Sequence, residues 1–126
     1  MSTPFSVQAV LQVPADVGLP PDPLSLLVSA QFDSLADYVL QLSGSGTHMV
    51  GLGTVGPSGL KGLLVKVDPG VGASAVTVRV NGASSGGIEL SPGGGMLIAS
   101  PNPQSGITAL DVLYTGNVVV RIWALG

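Results

Sequence analysis

The chain has 126 residues, of which 45% are hydrophobic and only 9% charged, with a net charge of -3, a single histidine and no cysteine. This length supplies one hydrophobic core and is too short for two ordinary ones, so a single domain over residues 1–126 is expected. The missing cysteines remove disulfides and thiolate chemistry, and four basic residues (Lys61, Lys66, Arg79, Arg121) against seven acidic ones (Asp16, Asp22, Asp33, Asp37, Asp68, Glu89, Asp111) form no positive cluster for direct nucleic-acid binding.

At the N-terminus, Met1-Ser2-Thr3-Pro4 lacks the basic segment and apolar core of a secretory signal, so the mature chain is expected to begin near Met1. From there apolar residues recur at every second position. Phe5, Val7, Ala9, Leu11 and Val13 alternate with Ser6, Gln8, Val10 and Gln12. A period of two places side chains on opposite faces of a strand. Pro14 to Pro23 follows as a surface loop. Ser25 to Gln31 reads as a strand, with a competing helix over Leu24 to Leu42 in which Leu24, Leu27, Val28 and Phe32 share a face. Asp33 to Asp37 also fits a single helical turn.

Tyr38 to Leu42, His48 to Leu52 and Leu60 to Val67 continue the strand pattern, separated by Gly44 to Gly46 and Gly56 to Gly59. Asp68-Pro69-Gly70 reads as a turn with Pro at its first central position and Gly taking a positive φ after it. In Ala75 to Asn81, Val76, Val78 and Val80 share one face while Thr77 and Arg79 take the other. Gly82 to Gly87, Ile88 to Leu90, Pro92 to Gly94, Gly95 to Ala99, the turn composition Pro101 to Gly106 and Thr108 to Leu113 carry the alternation of turns and strands onward. Gly116-Asn117 then reads as a tight hairpin turn before Val118 to Leu125. Eight or nine short strands so spaced predict an all-β fold, an antiparallel β-sandwich of jelly-roll-like character.

The interrupted apolar runs never reach the roughly 18 to 20 residues of a membrane-spanning helix, and no membrane partner is expected. Catalytic chemistry has little to stand on. His48, in Thr47-His48-Met49-Val50, is a strand residue with a polar rim role, and one histidine cannot build a multi-histidine metal site. The pairs Asp16 with Asp22 and Asp33 with Asp37 lack the alternating oxygen ligands of a calcium loop, so they read as solvated turn residues. Gly-rich stretches at 43–46, 82–87 and 93–95 lack the lysine of a phosphate-binding loop and the long helix of a dinucleotide fold. No catalytic residue, cofactor or metal is therefore assigned, and no enzyme activity is expected.

The last strand is the most informative segment. With Val118, Val120, Ile122 and Ala124 facing a core, Val119, Arg121, Trp123 and Leu125 face away from it, and both faces are apolar near the end. Two readings stand side by side. The strand crosses the centre of a sandwich and is covered on its second face by a loop, or these four residues form a subunit interface anchored by Trp123 and Leu125.

Leu60-Lys61-Gly62-Leu63-Leu64-Val65-Lys66-Val67, Val76-Thr77-Val78-Arg79-Val80-Asn81-Gly82, Ile88-Glu89-Leu90-Ser91-Pro92-Gly93-Gly94-Gly95, Ser105-Gly106-Ile107-Thr108-Ala109-Leu110-Asp111-Val112 and the closing Trp123-Ala124-Leu125-Gly126 follow one another through the second half of the chain. In this run, Leu60 through Gly126 resembles the small β-sandwich structural proteins of tailed bacteriophage particles. The resemblance implies a noncatalytic virion component of the head, neck, tail or fibre device, assembled in the host cytoplasm through symmetric contacts with copies of itself, as a trimer or hexamer, and with other virion proteins. The alternative is a carbohydrate-binding or receptor-binding module using the few aromatics, Phe5, Phe32, Tyr38, Tyr114 and Trp123. That reading is favoured by an exposed Trp123 or Tyr114 beside Asp111 and Asn117.

Overall fold

The computed structural model describes residues 3–11, 24–52, 55, 59–70, 72–104 and 107–126. Every regular element among them is a strand: β1 (Thr3–Leu11), β2 (Leu24–Phe32), β3 (Leu35–Leu42), β4 (Ser45–Gly51), β5 (Leu60–Val67), β6 (Val76–Val80), β7 (Ile88–Leu90), β8 (Gly95–Gln104), β9 (Ala109–Thr115) and β10 (Val118–Leu125). The expected Pro14 to Pro23 loop lies outside the described residues. The helix over Leu24 to Leu42 does not form, and neither does the helical turn at Asp33 to Asp37. Asp33 and Ser34 instead make a corner whose two amides donate to the Gly126 carbonyl, at 2.7 and 3.2 Å, while Gly126 N–H donates back to Ser34. The end of the chain thereby satisfies the backbone groups that a helical turn would have used itself.

Two antiparallel four-stranded sheets pack face to face, in the orders β3-β10-β5-β8 and β4-β9-β6-β7, with β1 and β2 as a separate two-stranded ribbon. From β3 to β10 every connection except β6–β7 carries the chain from one four-stranded sheet to the other. This is the connectivity of a jelly roll. It corrects the reading of Gly116-Asn117 as a hairpin, because β9 and β10 are not partners. The two residues are a corner between sheets, tied by Gly116 N–H to the Gly44 carbonyl and by Ser74 N–H to the Asn117 carbonyl at 3.3 Å. Asp68-Pro69-Gly70 likewise bridges the sheets, and the positive φ falls on Gly72 rather than Gly70.

The core follows from the period of two. Val118, Val120, Ile122 and Ala124 of β10, Leu63, Val65 and Val67 of β5, Val76 and Val78 of β6, and Leu110 and Val112 of β9 are all buried between the sheets. The β-branched majority suits a pleated, tightly packed surface. No polar or charged residue is buried among those described. Pro101 to Gln104, expected in a turn, continue β8 instead. They lie on an edge strand, where a proline's missing N–H removes no hydrogen bond needed by a central ladder.

Gly116 is a position where glycine is required. Its φ is +89°, and an added Cβ would lie 2.7 Å from Ser74 Oγ. Gly116→Ala is expected to lower stability by about 1 to 2 kcal/mol through backbone strain alone, read as a reduced midpoint in chemical denaturation. An unchanged midpoint would show that the corner tolerates a side chain.

An apolar outer face as the candidate functional site

Directly opposed residues in a sheet share a face, so the strand registers define what each four-stranded sheet presents outward. On the β4-β9-β6-β7 sheet the outward rows are Thr47, Leu113, Thr77 and Glu89, then Met49, Asp111 and Arg79. This face is mostly polar, as expected of a sheet against water. On the β3-β10-β5-β8 sheet the rows are Leu35, Leu125, Gly62 and Ala99, then Asp37, Trp123, Leu64 and Leu97, then Val39, Arg121 and Lys66. Its first two rows are apolar apart from Asp37.

Strand β10 supplies the middle of this face. Val119, Arg121, Trp123 and Leu125 all point outward, as the alternation required, while their neighbours are buried. Trp123 retains 41% of its surface exposed, Leu35 59% and Leu97 38%. The ribbon borders this surface where a loop had been the alternative. Phe5 and Phe32 meet edge to face at 5.8 Å at its base, and Lys61 Nζ donates to the Gln31 carbonyl at 2.7 Å. Phe5 sits over Gly62, whose absent side chain leaves it room. Between ribbon and sheet lies a cleft of about 660 Å³, lined by Phe5 to Gln8 on one side and by Leu35, Leu64, Leu97, Trp123 and Leu125 among others.

The polar groups at the rim are paired with one another. Arg121 donates through Nη2 to Asp37 Oδ2 at 3.0 Å and through Nε to Oδ1 at 3.3 Å, a forked contact across neighbouring strands. The same guanidinium lies over the Trp123 ring, 4.8 Å from its centroid. The pair is solvent-exposed and adds little to stability. Its consequence is to cancel charge beside an apolar surface. The hydrogen bond from Arg121 holds the Asp37 carboxyl below its ordinary value of 3.8. A depressed folded-state value means the interaction is fully present above the unfolded value and is lost as pH falls through the folded one. An NMR titration of Asp37 should therefore have its midpoint below 3.8, and Arg121→Gln should move it back up. A midpoint unaffected by that substitution would exclude Arg121 as the cause.

Sequence reasoning found the β10 residues of this face, named Phe5 only among the aromatics of the binding-module alternative, and missed Leu35, Asp37, Leu64 and Leu97. The outward apolar alternation at Leu35 and Val39 carried the signal for β3. The partnership of Asp37 with Arg121, 84 residues apart, had none. His48 lies exposed on edge strand β4, and Tyr114 packs half-buried against the core. Asp111 faces outward from the opposite sheet to Trp123, so the tryptophan's polar neighbours are Asp37 and Arg121. No group of three or more His, Asp or Glu side chains able to hold a metal occurs among the described residues.

The arrangement defines a class: an antiparallel β-sandwich with one polar and one apolar outer face. No family model matches the chain, and neither a curated protein nor a solved structure matches it.

Proposed function

We propose that this protein is a noncatalytic structural component that works by symmetric association with copies of itself, through the outer face of the β3-β10-β5-β8 sheet. The observation that carries the reading is the contrast between the two outer faces. Leu35, Leu64, Leu97, Trp123 and Leu125 form a contiguous apolar surface on one sheet, whereas on the other Leu113 and Met49 are separated by threonines, Asp111, Arg79 and Glu89. Apolar surface gains by leaving water, and a tryptophan at the middle of such a patch is the residue type most often found to dominate an interface. Closed symmetric assembly lets every copy bury the same patch. With the resemblance of Leu60 through Gly126 to small phage β-sandwich proteins, the proposed setting is a tailed bacteriophage virion.

Sedimentation velocity across a micromolar concentration series tests the association. A concentration-dependent oligomer supports the reading, and a monomer throughout overturns it. A side-chain-resolution reconstruction of the particle tests the setting by placing the chain in it or failing to.

A carbohydrate-binding or receptor-binding role draws on the exposure of Trp123 beside Asp37 and Arg121, a platform with polar groups at its edge. Against it, the Arg121 guanidinium covers part of the ring face on which a sugar would stack. Glycan-array binding that disappears in Trp123→Ala while the oligomer persists would put this reading first.

A further inference from the structure

The two four-stranded sheets end on four outer strands, β3, β8, β4 and β7. Outer strands ordinarily carry something that blocks pairing with another chain. β3 carries Asp37, β7 is only three residues long, and β8 has two prolines and an irregular register with β5. β4 has none of these. Ser45 to Gly51 include no Lys, Arg, Asp, Glu or Pro, and pair with β9 over seven successive positions without a bulge. The ribbon strands are also unblocked, but β1 borders the cleft over the β3-β10-β5-β8 sheet and β2 packs beside β8. β4 looks into solvent, with Met49 69% exposed.

Hydrogen bonds at the two ends of the β4–β9 ladder fix which backbone groups are left open. Leu52 N–H donates to the Thr108 carbonyl at 2.8 Å, and Gly116 N–H donates to the Gly44 carbonyl. Bonded and non-bonded pairs alternate in an antiparallel ladder. Gly46, His48 and Val50 therefore bond to β9, and the N–H and C=O groups of Thr47 and Met49 point out of the sheet edge. The Gly51 carbonyl, on that same side, accepts from the Tyr38 hydroxyl at 3.4 Å.

Space is open there as well. His48 shares the inward face with buried Val112, yet it is exposed, so the facing sheet stops short of this edge. Val50, two residues on, is covered.

We infer that β4 pairs antiparallel with β4 of a second copy about a two-fold axis at His48, joining the two β4-β9-β6-β7 sheets edge to edge. This register matches Ser45 to Gly51 along their whole length. Thr47 lies opposite the partner's Met49 and exchanges two backbone hydrogen bonds with it, as Met49 does with the partner's Thr47. The covered end at Val50 meets the partner's Gly46, which brings no side chain beneath it. With the axis perpendicular to the sheets, the two sandwiches lie side by side, and at His48 neither facing sheet overhangs the seam. A second copy is the occupant because each copy leaves the same uncharged edge open, and one isologous contact closes both. The contact goes beyond the apolar face proposed above and uses none of its residues. Combined with a cyclic contact through that face, a two-fold here builds a dihedral assembly.

The test uses the full chain, which has no cysteine of its own. At the axis, His48→Cys sets two Cα atoms about 4.5 Å apart, within the span of a disulfide. Mild oxidation should give a covalent dimer, and Met49→Cys, opposite the partner's Thr47, should give far less. Charge supplies a second readout. Thr47→Lys with Met49→Lys sets lysine opposite lysine twice across the seam, whereas Thr47→Glu with Met49→Lys sets glutamate opposite lysine twice. Both positions are exposed, so circular dichroism should show one fold in both variants. Their dissociation constants, read by sedimentation, should differ by about tenfold or more, with the double lysine weaker. If Trp123→Ala weakens association while the charge variants bind equally, or His48→Cys crosslinks no better than Met49→Cys, the β4 pairing is overturned and the apolar-face reading stands. If His48→Cys crosslinks and Trp123→Ala leaves association unchanged, the β4 pairing stands and the apolar-face reading falls. A wild type that is monomeric throughout overturns both.

Discussion

A chain ending at Asn117 is expected not to fold. Removing residues 118–126 deletes β10, which lies between β3 and β5 and holds both by antiparallel ladders. Four inward residues, Val118, Val120, Ile122 and Ala124, leave the core with it, and three of them are fully buried. The Gly126 carbonyl that receives the Asp33 and Ser34 amides is lost as well. A smaller change gives the scale: Ile122→Ala alone should cost about 2 to 5 kcal/mol, against a total stability of roughly 5 to 15 kcal/mol for a typical domain. Loss of the whole strand exceeds what such a fold can absorb, and the exposed edges of β3 and β5 direct the product into aggregates. Removing Met1 to Thr3 should do far less. Solubility and far-UV circular dichroism check the pair. A soluble product with a wild-type spectrum after truncation at Asn117 would refute the central role of β10.

Trp123→Ala should separate assembly from folding. The indole lies on the outer face with 41% of its surface exposed, so its truncation leaves no sealed cavity. The cost to the isolated fold should stay below the roughly 3 to 5 kcal/mol of a buried aromatic. Part of it is the stacking with Arg121, on the order of 0.5 to 1 kcal/mol at an exposed site. In the proposed oligomer the same ring would be at the middle of the covered patch. A central tryptophan there contributes about 2 kcal/mol or more, which raises the dissociation constant by about 30-fold or more. Sedimentation should show the loss of association, and thermal melts a modest shift. Loss of the fold would make Trp123 a core residue, and wild-type behaviour in both assays would remove it from the argument.

These two outcomes differ because adjacent residues of one strand face different surroundings, and that much was legible in the sequence. The sequence offered a strand candidate at each of the ten places where strands occur among the described residues, although eight or nine were expected. It also sorted Val118, Val120, Ile122 and Ala124 from Val119, Arg121, Trp123 and Leu125, since a strand has only two faces and one of them needs a core. It failed where local composition is shared by different structures. Gly116-Asn117 and Asp68-Pro69-Gly70 have the chemistry of tight turns, and a tight turn between partners has much the same residues as a corner between sheets. Pro101 to Gln104 look like a loop because proline is foreign to a central strand, and they are strand because β8 is an edge.

The sequence by itself determined the strand class, the alternating faces of β1, β6 and β10, and the scarcity of side chains for catalysis. Only the tertiary structure decided which strands became neighbours, for pairing depends on contacts between residues far apart in the chain. Asp37 meets Arg121, Leu35 meets Leu125, and Leu64 lies between Trp123 and Leu97 through ladders that no local pattern encodes. The apolar face is made by that juxtaposition. Each strand contributes one or two outward apolar residues, unremarkable singly, and the sheet order gathers them into one surface beside the open edge of β1.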